Sequence, residues 1–479
     1  FNYLYARRFG GKFILRVDDT DQARNVEFAL KPILDGLKWL GIDWDDGPHY
    51  QSKHKDYYVK IAEELIRAGA AYPDPPTSAA DRGTDRKPYR GVNRNMGGDQ
   101  AWALYDDTGW AIRFKMPDGE RVVLDDLVRG RVEWDTDRLS DPVIVRSGGL
   151  ATYNFATAVD DAELKITHVI RAEEHLSNTP IQLLILDQLG HTPPFYAHLP
   201  FVSEPNSRKK LSKRDMGKFV TPDVLDKLHQ LGYTDSDIAS RDELNPATVT
   251  YYQCLGYKPE AVANYLARLG WSLDGKTEIM TMETMIRNFD LDRVGGGAAQ
   301  FDPKKMLWVN AEHVKKDTEA VKTLGCMEAL MDAKLIPRSA PMPEALDLVG
   351  KVVALCGDRI KCYSDILPFG SFVWKMPPYD KKDLEKYVTV VMAQHFDTIC
   401  HTFRQMPEWT AANIEQVVTA FMAARNEKPN PMVFAIRTAL CGRNLGPSLY
   451  ETMELLGKDE CIRRMYRTMA VVLQPHGGS

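Results

Sequence analysis

The stretch ITHVIRAEEHLSNTPIQLLILDQLG, residues 166–190, decides the fold class. A short run rich in β-branched residues comes first, a polar block follows, and the rest carries apolar residues at helical spacing. Asn178 or Thr179 offers a helix cap, and Pro180 stands near the first helical position, where its missing N–H costs nothing. Strand, polar loop and helix in succession make the repeating unit of a parallel sheet covered by helices. The start of the chain has the same order: KFILRV (12–17) reads as a strand, DDTD (18–21) as the polar block, and VEFALKPILDGLKWLGI (26–42) as a helix stopping at Gly41. FYAHLPFV (195–202) is a further strand, and RKKLSKRD (208–215) is its basic sequel. Ligands of open parallel sheets bind beyond the carboxyl ends of the strands, so the three polar blocks are expected to converge on one crevice.

Other segments break this alternation. KDYYVKIAEELIRAGAAY (55–72) is an amphipathic helix, but PDPPTSAADRGTDRKPYRGVNRN (73–95) is polar and rich in Pro and Arg, which marks a boundary or insertion. AIRFKM, RVVLDDLV, GRVEW and PVIVRS then read as short strands separated by turn signals, a small and mostly β unit. From about residue 221 onward the spacing is helical almost throughout, with no internal repeat.

Bulk properties limit the function. A chain of 479 residues, 44% hydrophobic and 27% charged, is too long for one compact core and implies roughly two to four domains. With a net charge of −5, any polyanion site must be a local concentration of Lys and Arg. Seven cysteines without a C-x-x-C pair read as reduced thiols of a cytosolic protein. No apolar run approaches the roughly 20 residues that cross a bilayer, and the opening FNYLYARRFGGKF shows neither a signal-peptide pattern nor a starting Met.

The chemistry follows from the mixture. Carboxylates (Asp18, Asp19, Glu173, Glu174), a guanidinium (Arg171) and a basic loop suit a zwitterion plus a nucleotide: Asp for an ammonium, Arg for a carboxylate, Lys for phosphates. Taken alone, DDTD also reads as an exposed turn and RKKLSKRD as a solvated loop. The histidines at 168, 175, 191 and 198 read as packing or surface residues, because no H-x-x-x-H spacing occurs.

FNYLYARRFGGKFILRVDDTD, DDLVRGRVEWD, ATYNFATAVDDAELKITHVIRAEEHLSNTPIQ, KKLSKRD, NYLARLGWS, FDPKKMLWVN and AIRTALCGRNLGPSLYETMELLG together resemble the bacterial glutamyl-tRNA synthetase family, class I aminoacyl-tRNA synthetases. The resemblance runs in family order over nearly the whole chain. It implies an α/β Rossmann-type class I catalytic domain with an inserted α+β acceptor-binding domain, followed by an all-helical C-terminal anticodon-binding region. The implied boundaries are 1–72 and 151–220 for the two catalytic parts, 73–150 for the insertion, 221–311 for a helical stem-contact domain and 312–479 for the anticodon-binding domain. A glutaminyl enzyme would end instead in β-barrels.

By the same resemblance, KLSKR (210–214) is similar to the class signature Lys-Met-Ser-Lys-Arg, a mobile loop that closes over ATP, which makes Lys210, Ser212, Lys213 and Arg214 the implied catalytic residues. Glu173, Glu174 and Lys213 are implied at the ATP site. Asp18, where the family often has Glu, would hold the substrate ammonium; Tyr153 and Thr157 would line the amino-acid pocket, Thr157 where some relatives carry Asn; and Arg171 would grip a carboxylate. Arg359, Pro447 and Leu449 are implied in tRNA binding, with Arg463, Arg464 and Arg467 available for phosphates or else lying on a solvated helix face. The implied reaction is ATP-dependent activation of L-glutamate to glutamyl adenylate, then transfer to the 3′-terminal adenosine of tRNA-Glu, with Mg²⁺ accompanying ATP. The insertion holds no Cys, so no zinc is expected. A cytoplasmic monomer with no membrane association is the family expectation.

Two departures bear on this reading. The class signature resembling His-Ile-Gly-His should precede FNYLYARR, yet no H-x-G-H occurs in the chain. The polypeptide as written is therefore expected to be truncated at its N-terminus rather than degenerate, and inactive as written. An enlargement is also expected within 234–261. The alternatives are a catalytically inactive tRNA-binding paralogue and a non-discriminating enzyme that also charges tRNA-Gln.

Overall fold

The computed structural model describes residues 1–20, 26–76, 88–207 and 209–473. After helix α1 (Asn2–Arg8), strands β1 (Ile14–Val17) and β2 (Asp46–Tyr50) pair in parallel, with helix α2 (Val26–Trp39) between them in sequence. Helix α3 (Lys55–Arg67) buries Tyr58, Ala62, Leu65 and Ile66, one face at three- and four-residue spacing. Strand β3 (Ala71–Asp74) is buried along its whole length, where the sequence reads the end of a helix through Tyr72 and a polar stretch from Pro73; the helix ends at Arg67. The proline is tolerated because β3 lies at the edge of its sheet, where one row of N–H groups has no partner strand.

Helix α4 (Gly98–Thr108) follows, ending on Gly109 in the left-handed region. The four strands read from the sequence are β4 (Ala111–Phe114), β5 (Arg121–Asp126), β6 (Gly130–Asp135) and β7 (Val143–Arg146), with a short β8 (Leu150–Ala151) after them. An antiparallel sheet takes the order β3-β4-β7-β8, and β5 with β6 forms a separate hairpin. Helix α5 (Tyr153–Glu163), strand β9 (His168–Ala172), helix α6 (Thr179–Gln188) and strand β10 (Phe195–Leu199) complete the second βα unit. Strands β9 and β10 pair in parallel, so that Arg171 stands beside His198. FYAHLPFV is not one strand: Pro200 carries no N–H to continue the ladder, and β11 (Val202–Ser203) instead pairs with β12 (Ala299–Gln300).

These elements belong to a unit made of Phe1–Leu211 and Ala263–Asp302. A second unit, Ser212–Val262 with Pro303–Ser479, is helical among its described residues. Its core gathers Phe396, Phe403, Ile414, Met432, Ile436 and Met465, all fully buried. The segment read as an enlargement contains helices Asp235–Ser240, started by a Thr234/Asp237 capping box, and Val249–Cys254. All seven cysteines are free thiols. No described helix is long and apolar enough to cross a membrane.

Candidate active site

Strand β1 delivers Arg16 to a cluster of carboxylates. Its Nε–H donates to Asp18 Oδ1 at 2.9 Å and an Nη1–H to Asp161 Oδ1 at 2.6 Å, while Asp160 Oδ2 lies 3.8 Å from Nε. Asp160 is held in turn by Tyr58 Oη at 2.7 Å and Gln51 Nε2 at 2.9 Å. Burial works against the charge on Arg16, but the fields of Asp161 and Asp18 outweigh it and keep the guanidinium protonated. Burial likewise pushes the Asp161 carboxyl up against the pull of Arg16. One guanidinium among three carboxylates leaves the cluster negative, and Asp18, with 36% of its side chain exposed, is the member that meets solvent. Asp19 points elsewhere: it accepts the Ser52 N–H at 2.8 Å and hydroxyl at 2.6 Å and caps the turn after β2.

This cluster gives a stability prediction. Arg16→Met strands two buried carboxylates and is expected to cost about 3–5 kcal/mol. Asp18→Asn removes only the exposed partner and is expected to cost under about 1 kcal/mol. Denaturant midpoints of the two variants check the contrast.

Strand β9 places Arg171 across from that cluster, with Asp161 within electrostatic reach of both arginines. Its Nε–H donates to His198 Nε2 at 3.1 Å and its Nη2 to Thr179 Oγ1 at 2.8 Å and, at 3.4 Å, to the His175 carbonyl. The Tyr196 ring lies under the guanidinium at 5.4 Å. Nη1 has no hydrogen bond among the described residues.

The third polar block joins the second. The chain after β11 turns back on itself, with Leu211 N–H donating to Val202 O at 2.8 Å, and Lys210 forms an ion pair with Glu174 that holds this carboxyl below its ordinary range. Glu173 instead pairs with Arg129 and accepts the Phe201 N–H at 3.2 Å, so it ties the β5–β6 turn to the turn after β10. Arg208 and the Lys213 side chain lie outside the described residues. Ser212 is half-buried and Arg214 exposed, at the start of a 3₁₀ turn spanning Lys213–Phe219. Asp18 is thus linked through Arg16 and Asp161 to the field of Arg171, and Lys210 to Glu174.

Helix α5 begins with Tyr153, half-buried, its ring 5.8 Å from that of His175. One turn later Thr157 is 3% exposed and its Oγ1 has no partner, as is also true of Oε1 of the buried Gln182. Buried polar atoms without partners are rare enough to mark a place where a ligand or water completes the bonding. Among the described residues, His54, Asp160 and Glu163 also bring ligand-type atoms within 4.8 Å of one another.

In the second unit Arg359 is exposed, and Arg437, half-buried, donates to Asn444 Oδ1 and to the Pro447 carbonyl at 3.5 Å each. Burial and then repulsion from Arg359 lower the proton affinity of Arg437, and its Nε is buried without a partner. Two neighbouring guanidiniums with no carboxylate bonded to either among the described residues suit an incoming anion or base edge. Pro447 and Leu449 are buried, so the GPSLY loop offers its backbone rather than these side chains. Arg464 is not available for phosphates: it is 3% exposed and donates to the Leu440 carbonyl at 2.7 Å and to Glu460 at 2.6 Å. Arg463 and Arg464 together hold the Glu460 carboxyl down at about 2. Arg467 is exposed.

Known proteins share this architecture. Residues 1–234 and 227–308 match tRNA synthetases class I (E and Q), catalytic domain, and residues 327–469 match an anticodon binding domain. A glutamate–tRNA ligase of Geotalea uraniireducens is 33% identical over 481 residues, covering 98% of this chain and 94% of that protein. One from Bacillus licheniformis is 35% identical over 493 residues, covering 97% and 94%. The chain belongs to the glutamate–tRNA ligase family. Among solved structures, a glutamate tRNA ligase from Elizabethkingia meningosepticum in complex with its amino acid has TM-score 0.77 and 28% identity over 98% of this chain and 95% of that one. Membership makes the protein a class I aminoacyl-tRNA synthetase, a ligase with a class I catalytic domain and a helical anticodon-binding domain.

Several residues of the site are missed by sequence reasoning. Arg16 and the Asp160–Asp161 pair carry a usable signal, a charge inside an apolar strand and two adjacent acids following the apolar run of a helix. His198 and Asp126 carry none, because they meet across 72 positions.

Proposed function

We propose that this ligase activates L-glutamate with ATP and passes the glutamyl group to the terminal adenosine of tRNA-Glu. The observation that carries amino-acid binding is the pairing of two sites: a net negative cluster exposing Asp18, and a guanidinium, Arg171, with Nη1 unengaged among the described residues. An ammonium on the first and a carboxylate on the second describe an amino-acid zwitterion, and the choice of glutamate follows the glutamate–tRNA ligases that the chain resembles. Tyr153 and Thr157 line the pocket between them in this reading.

On the nucleotide side, Lys210, Ser212, Lys213 and Arg214 meet the triphosphate, and Glu174 releases Lys210 when ATP arrives. Glu173 serves the site indirectly through its pair with Arg129. Mg²⁺ travels with ATP on phosphate oxygens rather than in a protein cage, and zinc has no part. Arg359, with Arg437 beside it and the Pro447–Leu449 backbone, reads the anticodon. The protein acts as a monomer in the cytoplasm.

The test uses the complete coding sequence, including whatever precedes Phe1. Purified protein is assayed for amino-acid-dependent ATP–pyrophosphate exchange in the presence of tRNA, and for charging of tRNA-Glu and tRNA-Gln. The expected result is exchange with glutamate, little with glutamine or aspartate, and glutamate attached to tRNA-Glu. Tight tRNA binding without exchange would make the protein a non-catalytic paralogue, and equal charging of tRNA-Gln would make it non-discriminating.

A further inference from the structure

The side-on edge of the Arg171 guanidinium, Nε with Nη2, is occupied by His198 and Thr179. What remains toward the crevice is the end-on edge containing Nη1, and a planar fork binds a carboxylate well only when its plane is fixed. The groups that fix it are buried. His198 is fully buried, Thr179 likewise, and Asp126 is 4% exposed. Because an arginine Nε can only donate, His198 Nε2 must accept, which assigns the ring hydrogen to Nδ1. That Nδ1–H donates to Asp126 Oδ2 at 2.6 Å. The Thr179 hydroxyl, accepting from Nη2, sits 3.2 Å from the same Nε2.

Asp126 comes from elsewhere in the chain. It ends β5, and its carboxylate also accepts the N–H groups of Val128 at 3.0 Å, Arg129 at 2.9 Å and His198 at 3.1 Å. Burial would raise this carboxyl, but the His198 bond and these backbone donors outweigh it, so the group stays ionised. An ionised carboxylate behind an imidazole locks its tautomer and makes the opposite nitrogen a stronger acceptor. The turn is pinned at two more points: Leu127 N–H donates to the Tyr196 carbonyl at 2.8 Å, and Arg129 pairs with Glu173.

We propose that Asp126 and His198 are positioning residues that set the guanidinium plane of Arg171, so that the β5–β6 hairpin controls how tightly a carboxylate of the amino acid is held. The proposal rests on the reading that Arg171 grips that carboxylate.

The test compares variants of the complete protein by glutamate and ATP KM and by kcat in pyrophosphate exchange. His198→Asn keeps a donor near Asp126 but leaves nothing at the Nε2 position, and is expected to raise the glutamate KM about 10- to 100-fold with the ATP KM nearly unchanged. His198→Gln, whose carbonyl oxygen reaches the Nε2 position, is expected to restore most of the loss. In an Arg171→Ala background His198→Asn should add nothing, since a residue acting through another has no effect once the other is gone. An unchanged glutamate KM in His198→Asn, or an equal loss with and without Arg171, overturns the proposal while leaving the Arg171 reading standing. An unchanged KM in Arg171→Ala itself overturns both. Should His198→Asn fail to fold, Thr179→Val strips the other acceptor from the same edge, with the same expected selectivity and the same overturning result.

Discussion

Arg171→Ala is expected to lower kcat/KM for glutamate by about 10²–10³, equivalent to roughly 2.7–4 kcal/mol, with the loss appearing mainly in the glutamate KM. The size follows from what the residue faces. Its guanidinium is the positive group set opposite a cluster where three carboxylates surround the single charge of Arg16. Without it, a second carboxylate would have to enter a region already negative. Arg171→Lys should recover little, because an ammonium is a point charge and cannot reproduce a planar fork. Steady-state pyrophosphate exchange with glutamate makes the measurement, and a glutamate KM within a few-fold of the parent would remove Arg171 from the pocket.

The sequence makes the order of elements legible because burial has a period. KFILRV, the α3 stripe, the strands of the insertion and the NTPIQ helix start are all local patterns, and each became the element its period implies. Where a local breaker overrides the period, reading fails: Pro73 conceals β3, and Pro200 divides one apolar run into two strands. Partnerships across the chain leave no periodic trace. Arg16 meets Asp161 across 145 positions, and His198 meets Asp126 across 72, so a histidine that sequence reading takes as packing or surface becomes part of a polar relay. Arg464 is a different failure. Cys461, Met465 and Thr468 are buried at helical spacing on the same face, so its burial could be read from the stripe, and only the habit of treating arginine as a surface residue hides it.

The loop that sequence alone marks as catalytic leads to the other large effect. Adenylate formation spreads negative charge over the α-phosphate and the departing pyrophosphate, so a cation placed for that state lowers the barrier more than it strengthens ATP binding. Lys210 and Lys213 flank Ser212. Lys210 is paired with Glu174 while more than half of each side chain is exposed. An exposed pair of that kind is worth only about 0–1 kcal/mol, so a triphosphate takes Lys210 over at small cost. Lys213 opens the 3₁₀ turn that begins beyond Ser212 and is the lysine assigned here to the reacting phosphates. Lys213→Ala is expected to reduce glutamate-dependent exchange by about 10²–10³ in kcat, and Lys210→Ala shows how far the lysine held by Glu174 shares that role. Tight binding of tRNA should survive both changes, because its affinity is spread over many phosphate contacts and loses only a small increment with each cation. Exchange in Lys213→Ala within a few-fold of the parent, with Lys210→Ala far more impaired, would reverse the assignment and give the phosphate clamp to the lysine that Glu174 holds.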